Sequence, residues 1–296
     1  MYSENSQSYI SFSSFFKLKT FWIKAIILLL LIFNFNILQS QKYRGTYSMK
    51  YKEDSTKSDL TSKEMLLDID GTSSRFYSYK LFKSDSTIIA NEKSGRETKG
   101  RSLDYEFMVI KKRNENQISK FYKGLIDIYE MKEVAPNLQW KVSNTVKMIG
   151  NHQCQKASLD YKGRTWEAWF AADIPISDGP YIFSGLPGLI ISMSDTLGSY
   201  SFDLTALKKN EENIYTANRL SLKTVPVNIK QLHKLYMDFY NDPYKEVKSG
   251  QAKMKVVDQD GKEITPNFQE LTKIRQESLR KTNNPIELSE AIRYPH

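Results

Sequence analysis

The sequence predicts a mainly β, α+β fold: one large curved antiparallel sheet or incomplete barrel, with one or two C-terminal helices. Three observations predict it. Apolar and polar residues alternate with a period of two in about ten short segments between residues 43 and 207. After residue 225 the apolar spacing changes to three and four. Neither an internal repeat nor a low-complexity linker separates the two regimes. The sheet core is therefore expected over residues 41–225, with 226–296 as a helical extension packed on it.

Residues 1–40 stand apart from that core. Lys17, Lys19 and Lys24 flank the run "AIILLLLIFNFNIL", whose purely apolar part, Ala25–Phe33, is nine residues long. A membrane-spanning helix needs about 20. A basic flank, a short apolar stretch and a small residue at Ser40 form a secretory signal, with cleavage expected near Ser40–Gln41. Leu38 is large for its place before that bond, so an uncleaved membrane anchor is the alternative. Residues 1–16 are long for the leading region, and the true start then lies further in. Export implies a periplasmic or outer-membrane-associated protein. Removing residues 1–40 takes away three lysines and Glu4, which lowers the net charge from +9 to +7. The one cysteine, Cys154, excludes an internal disulfide, so the remaining chain must stand on its apolar core.

The strands follow in order. In "YRGTYSMKYK" (43–52), Tyr43, Gly45, Tyr47, Met49 and Tyr51 share one face and polar residues share the other. "EMLLDI" (64–69), "SRFYSYKLF" (74–82), "YEFMVIK" (105–111) and "LIDIYEM" (125–131) continue the series, and the charged stretch 83–101 reads as a loop or hairpin tip. "QWKVS" (139–143) and "KASLDY" (156–161) precede the turn Lys162-Gly163, which leads into "RTWEAWF" (164–170). Aromatic residues on both faces of that last segment predict a strand covered on both sides. "GLIISMS" (188–194) and "SYSFDLTAL" (199–207) pair across "DTLG". Ile229, Leu232, Leu235, Tyr236 and Phe239 then form a helical stripe capped by Asn228 and stopped at Asn241-Asp242-Pro243. A weaker helix is expected over 266–281, with Thr265 as N-cap and Pro266 as first residue.

The surplus of basic residues is scattered rather than gathered, and no basic-aromatic or helix-turn-helix pattern is present, so nucleic acid is not an expected partner. No Ser-His-Asp order, phosphate loop or dinucleotide fingerprint is visible. Asp173 and Asp178, with Glu167 nearby, are the carboxylates that can flank a glycosidic bond or hold Ca²⁺, although Asp178-Gly179-Pro180 also reads as a turn start. His152 and Cys154, two apart on a strand, face the same way and can serve as a nucleophile and its base; a zinc site lacks the other ligands it needs. Arg164 beside Trp166 and Trp169 can clamp an anionic or sugar ligand, or close an ion pair in the sheet wall. In "GLPGLI" (185–190), Leu186-Pro187-Gly188-Leu189 suits a type II turn with Gly188 at positive φ. The small residues Gly185 and Gly188 also let a ligand or partner backbone approach.

That hexapeptide, within "MIGNHQCQKASLDYKGRTWEAWFAADIPISDGPYIFSGLPGLIISMSD" (148–195), resembles the GLPGLI family of exported bacterial envelope proteins. Tyr129-Glu130, Trp140 and "NPIEL" (284–288) fit the resemblance as well, which spans roughly 43–290. It implies an envelope protein of Gram-negative bacteria, of uncharacterised activity, and carries over no catalytic residue. The expected function is non-enzymatic: a periplasmic protein binding an envelope partner protein or an apolar ligand in the trough of the sheet, near the membrane. Arg164, Trp166, Trp169, Gly185, Pro187 and Gly188 are the expected binding residues, with no cofactor, no metal and no assigned catalytic residue. The alternatives are a hydrolase using Asp173/Asp178 or His152/Cys154, and an accessory module of an outer-membrane transport or secretion assembly.

Overall fold

A computed structural model describes residues 42–97, 104, 106–124, 127–209, 224–257 and 259–295. The secretory-signal reading of residues 1–40 lies outside them. The elements run β1 (Lys42–Tyr51), β2 (Thr61–Asp70), β3 (Ser73–Ser78), α1 (Tyr79–Lys93), β4 (Val109–Lys112), β5 (Gln117–Lys123), β6 (Ile128–Val134) and β7 (Lys141–Ile149). They continue with β8 (His152–Tyr161), β9 (Arg164–Ala171), β10 (Leu189–Asp195), β11 (Tyr200–Lys209), β12 (Thr224–Pro226), α2 (Ile229–Asn241) and α3 (Lys245–Lys248). The two-residue strands β13 (Val256–Val257) and β14 (Glu263–Ile264) form a separate ribbon before α4 (Phe268–Lys281).

Among the described residues, twelve strands form one curved, unclosed sheet in the order β12-β6-β5-β4-β3-β2-β1-β11-β10-β9-β8-β7. Every pairing is antiparallel except β12 with β6, which makes the sheet mixed. Register shifts at Thr46/Tyr47, Ile190/Ser192 and Val142/Val146 mark bulges, which bend and twist the strands that carry them. Lys162 (φ 48°) and Gly163 (φ 83°) both lie in the left-handed region, so the β8–β9 hairpin closes with the two-residue turn the sequence predicts.

The core occupies both faces of the sheet. Met65, Leu67 and Ile69 of β2 join the larger cluster around Tyr47, Phe76, Trp166, Phe170, Phe183 and Phe202. Leu66, between them, points the other way into a smaller cluster with Tyr77, Leu81, Met108, Phe121 and Ile128. The strand covered on both sides is thus β2 rather than β9, whose outer face leaves Thr165 exposed and Trp169 half-buried.

Of the strand expected over 74–82, residues 74–78 lie in β3, whereas 79–82 and residues 83–93 of the expected loop form helix α1. Ser78 caps α1 by accepting from the Leu81 backbone N–H, and Leu81 and Asp85 are its buried residues. A charged residue on the inward stripe hides the helical period. For α4 the cap is Asn267, which accepts from Gln269 and Glu270, not Thr265. Asn228 caps α2 through a full capping box, as expected from its position.

Candidate functional site

A cavity of about 1110 Å³ opens at one end of the sheet. The antiparallel order brings the finishing ends of β1, β3 and β5 and the starting ends of β2, β4 and β11 to that end. Tyr51, Lys63, Ser78, Lys120, Tyr122 and Tyr200 line it from the strands. Ile229, Leu232, His233 and Tyr236 come from α2, Tyr79, Lys80 and Lys83 from α1, and residues 282–287, 290–292 and 294 from the C-terminal segment.

That C-terminal segment is a strap fixed by buried polar contacts. Arg164, almost wholly buried, pairs with Asp195 at 2.8 Å. It also donates to the carbonyl oxygens of Ile286 (3.1 Å) and Pro285 (2.7 Å) and to Asn284 Oδ1 (2.5 Å). Its guanidinium lies 4.8 Å from the centre of the Tyr200 ring, and the Tyr200 hydroxyl donates to the Asn284 carbonyl at 2.6 Å. Further along, Lys120 Nζ donates to Glu287 at 2.7 Å and pairs with Glu133 at 2.9 Å, while Lys162 pairs with Glu290.

Three carboxylates face two ammonium groups in this cluster. Burial, with the neighbouring Glu290 charge, raises the Glu287 carboxyl above its ordinary value against the pull of Lys120. Burial also opposes ionisation of Glu290, yet its hydrogen bonds with Glu287 and Lys162 bring it below the ordinary value. Of the two carboxyls, Glu287 is thus the one whose ionisation burial disfavours. Burial pushes the phenols of Tyr51, Tyr122, Tyr181, Tyr200 and Tyr236 up, so these cavity residues stay neutral donors and acceptors.

The loop between β9 and β10, which holds "GPYIFSGLPG", meets the cavity through Tyr181. Tyr181 sits at φ 52°, unusual for a residue with a Cβ, and its hydroxyl donates to Glu287 at 3.0 Å. Otherwise the stretch from Asp178 to Phe183 is packed wall, with Leu186 and Gly188, whereas Asp173, Pro175, Ser177, Gly185 and Pro187 are exposed. Asp178 is buried and takes ion pairs from Lys111 and from Arg113. Burial acts to raise its carboxyl, but the two cations win and hold it below the ordinary value. Lys111 also donates to the Gly179 carbonyl at 2.8 Å, and the Trp140 indole N–H donates to the Ser184 carbonyl at 2.8 Å.

None of the six residues expected to bind lines the cavity. Arg164 and Trp166 are buried; Trp166 packs 4.8 Å from the Phe183 ring centre. Trp169 lies half-buried beneath Lys147, whose Nζ is 3.9 Å from the ring centre. Gly185, Pro187 and Gly188 precede β10, so they lie toward the end of the sheet opposite the cavity. The turn there also differs from the expected one. Positive φ falls on Gly185 (94°) and not on Gly188, whose N–H donates to the Leu186 carbonyl at 2.8 Å. Gly188 is required by space: a Cβ there would sit 2.2 Å from the Ala171 carbonyl oxygen.

The expected hydrolase sets are not brought together. His152 Nδ1 meets Asp173 at 2.7 Å on the surface, whereas Asp178 is buried with its two cations. The Cys154 thiol donates to the His152 carbonyl at 3.7 Å rather than to its ring, and burial with the nearby Asp173 charge pushes it up, away from thiolate. Cys154 is free, and among the described residues no group of three His, Cys, Asp or Glu side chains is placed to hold a metal ion. The strap carboxylates and the cavity tyrosines escaped sequence reading. Their signals were "NPIEL" and a high tyrosine content, and neither specifies which rings converge.

Fold and site together define a class: an open twelve-stranded sheet with a tyrosine-lined cavity at one end, closed by a C-terminal strap. Residues 160–192, spanning β9, the loop and most of β10, match the family described as protein of unknown function (Porph_ging). No curated protein matches the chain. Among solved structures, PNGF-II in its C2 crystal form aligns with 66% of this chain and 32% of its own, at 15% identity and a TM-score of 0.47. The chain thus spans about a third of PNGF-II's length. A DUF1329 family protein from Desulfovibrio piger aligns over 60% of this chain and 91% of its own, at 7% identity and TM-score 0.25. A domain described as outer membrane lipoprotein-sorting, from Vibrio parahaemolyticus, aligns over 61% and 91%, at 8% identity and TM-score 0.25. Among the described residues no helix is long and apolar enough to cross a membrane.

Proposed function

We propose that this is an exported envelope protein of the GLPGLI type that binds an extended ligand in the cavity at the end of its sheet, without chemical conversion. The observation that carries the reading is the cavity itself. Its 1110 Å³ exceeds the roughly 300–1,000 Å³ of ordinary small-molecule sites, and a strap held by the buried Lys120–Glu287 pair and by hydrogen bonds from Arg164 forms one wall. The lining alters the expected ligand. Eleven charged side chains interrupt the apolar wall, so an amphipathic ligand fits better than a purely apolar one. Export rests on the apolar segment at 25–33 with its basic flank. In this reading Arg164 and Trp166 act indirectly, by holding the strap and packing beneath it.

Protein recovered from its native envelope and analysed by native mass spectrometry tests this. Retained small-molecule mass, lost in Tyr236→Ala, is the expected outcome. An empty protein whose melting temperature is unmoved by lipid, peptide and glycan panels would sink the reading.

A second reading has an observation of its own. Strand β7 is one edge of the sheet and exposes Val142, Val146 and Met148, which suits a protein partner along that edge, close to Trp169. Crosslinking in envelope extracts checks it; recovery of no envelope protein through residues 141–149 counts against it.

A further inference from the structure

The cavity has a chemistry more specific than its size. Seven tyrosines and two phenylalanines line it, together with six carboxylates, five lysines and two asparagines. Several ligand classes fit this lining badly. An acyl chain needs a continuous aliphatic wall, and covering unpaired charges with methylene groups is costly. A strongly charged ligand needs one sign of charge, but here Lys63 faces Asp104 and Glu106, and Lys120 faces Glu287 and Glu133. An extended peptide adds to a free strand edge. This cavity lies across the ends of paired strands.

The remaining class is neutral, rich in hydroxyls, and carries apolar C–H faces. Two features of the site suit it. Tyr79 is stacked on Phe82 (5.8 Å between centres, 26° between planes), and Tyr294 is stacked on Tyr240 (4.7 Å, 15°). Tyr79, with Lys83 Nζ 5.6 Å from its ring centre, and Tyr294 are half-buried and line the cavity, and Phe82 and Tyr240 support them from outside it. These are rigid aromatic platforms that lose little freedom on binding. Glu106, paired with Lys63, Glu290, paired with Lys162, and Asn283, which accepts from Ser55, also line the wall; their remaining acceptor lone pairs and the Asn283 amide are groups that bind paired hydroxyls. A volume of 1110 Å³ suits several sugar units rather than one.

We propose that the cavity is a binding site for a neutral oligosaccharide, with sugar faces on the Tyr79 and Tyr294 platforms and hydroxyls taken by Glu106, Glu290 and Asn283. The proposal rests on the ligand-binding reading above and names its ligand class. Titration calorimetry with cellohexaose, chitohexaose, mannohexaose and xylohexaose tests it, beside two other probes, a lysophospholipid below its micelle concentration and an unstructured acidic peptide. At least one hexasaccharide is expected to bind the wild-type protein with little dependence on salt. Tyr79→Ala and Tyr294→Ala should each weaken it by about tenfold, which is about 1.4 kcal/mol, while Tyr79→Phe and Tyr294→Phe keep the affinity because the ring face remains. Thermal melts of each variant separate lost binding from lost folding. Absence of binding by all four hexasaccharides overturns the proposal. If the lysophospholipid or peptide binds instead and the alanine variants weaken it, the ligand class fails and the cavity reading stands. Saccharide binding that neither alanine variant alters, in folded protein, overturns the proposal and the cavity reading together.

Discussion

Gly188 shows how one residue type can be required for a reason other than the familiar one. Its backbone is not left-handed; instead the Ala171 carbonyl passes where a Cβ would stand, at 2.2 Å. Gly188→Ala is expected to destabilise by about 3 kcal/mol, the upper range for overpacking a tight site, read as a lowered urea midpoint with unchanged slope. A fully stable variant would show that β9 and β10 can separate there at no cost. Asp178 gives a second test. Removing its charge leaves Lys111 buried beside Arg113 with no anion, so Asp178→Asn should cost about 3–5 kcal/mol. Because the folded state holds this carboxyl below its ordinary value, its contribution is present above about pH 3.9 and is lost as pH falls through the folded value. Acid melts of wild type and variant should therefore converge at low pH; parallel curves would contradict this role.

Among the elements, the strap carries the most unusual energetics. It is not a regular strand or long helix, yet Arg164 alone gives it three hydrogen bonds from β9. Arg164→Lys keeps the charge for Asp195 but loses the planar fork that reaches Asn284, Pro285 and Ile286 together. Hydrogen exchange over residues 284–290 should rise at least about tenfold in that variant, a local opening easier by about 1.4 kcal/mol, while β1 and β11 stay protected. Uniform exchange across the whole sheet would instead assign Arg164 to global stability. Helix α1 belongs to the same scale. It covers the second face of the sheet through Leu81 against Leu66 and Tyr77, and so allows β2 to be apolar at three consecutive positions, Met65, Leu66 and Leu67.

At the scale of the molecule, the strap and the cavity are coupled through Glu287. A carboxyl held above its ordinary value contributes stability below its unfolded value of about 4.3, and that contribution is lost as pH rises through the folded value. Strap protection should thus decline as pH rises above about 4.3, opposite in sign to the Asp178 effect. Glu287→Gln should remove the decline, as measured by exchange over 284–290 against pH. A decline that persists in the variant would place the titrating group elsewhere.

Much of the fold was legible in the sequence because strand periodicity and cap chemistry are local. Tyr47, Met49 and Tyr51 of β1, the Lys162-Gly163 hairpin and the Asn228 cap each declare themselves within a few residues. Helix α1 was not legible, because Asp85 occupies its inward stripe. The site was scarcely legible. Tyr51, Tyr79, Tyr122, Tyr200, Tyr236 and Tyr294 come from six separate segments, and no local pattern shows that they converge. The sequence by itself determined a strand-rich chain, its helical end and the constrained loop at 179–190. Only the tertiary structure decided that this loop is mostly wall, that Tyr181 alone carries it to the cavity, and that Arg164 grips a strap 120 residues away. The physical reason is that alternation and capping act over neighbouring residues, whereas a cavity is made by the order in which strands pair.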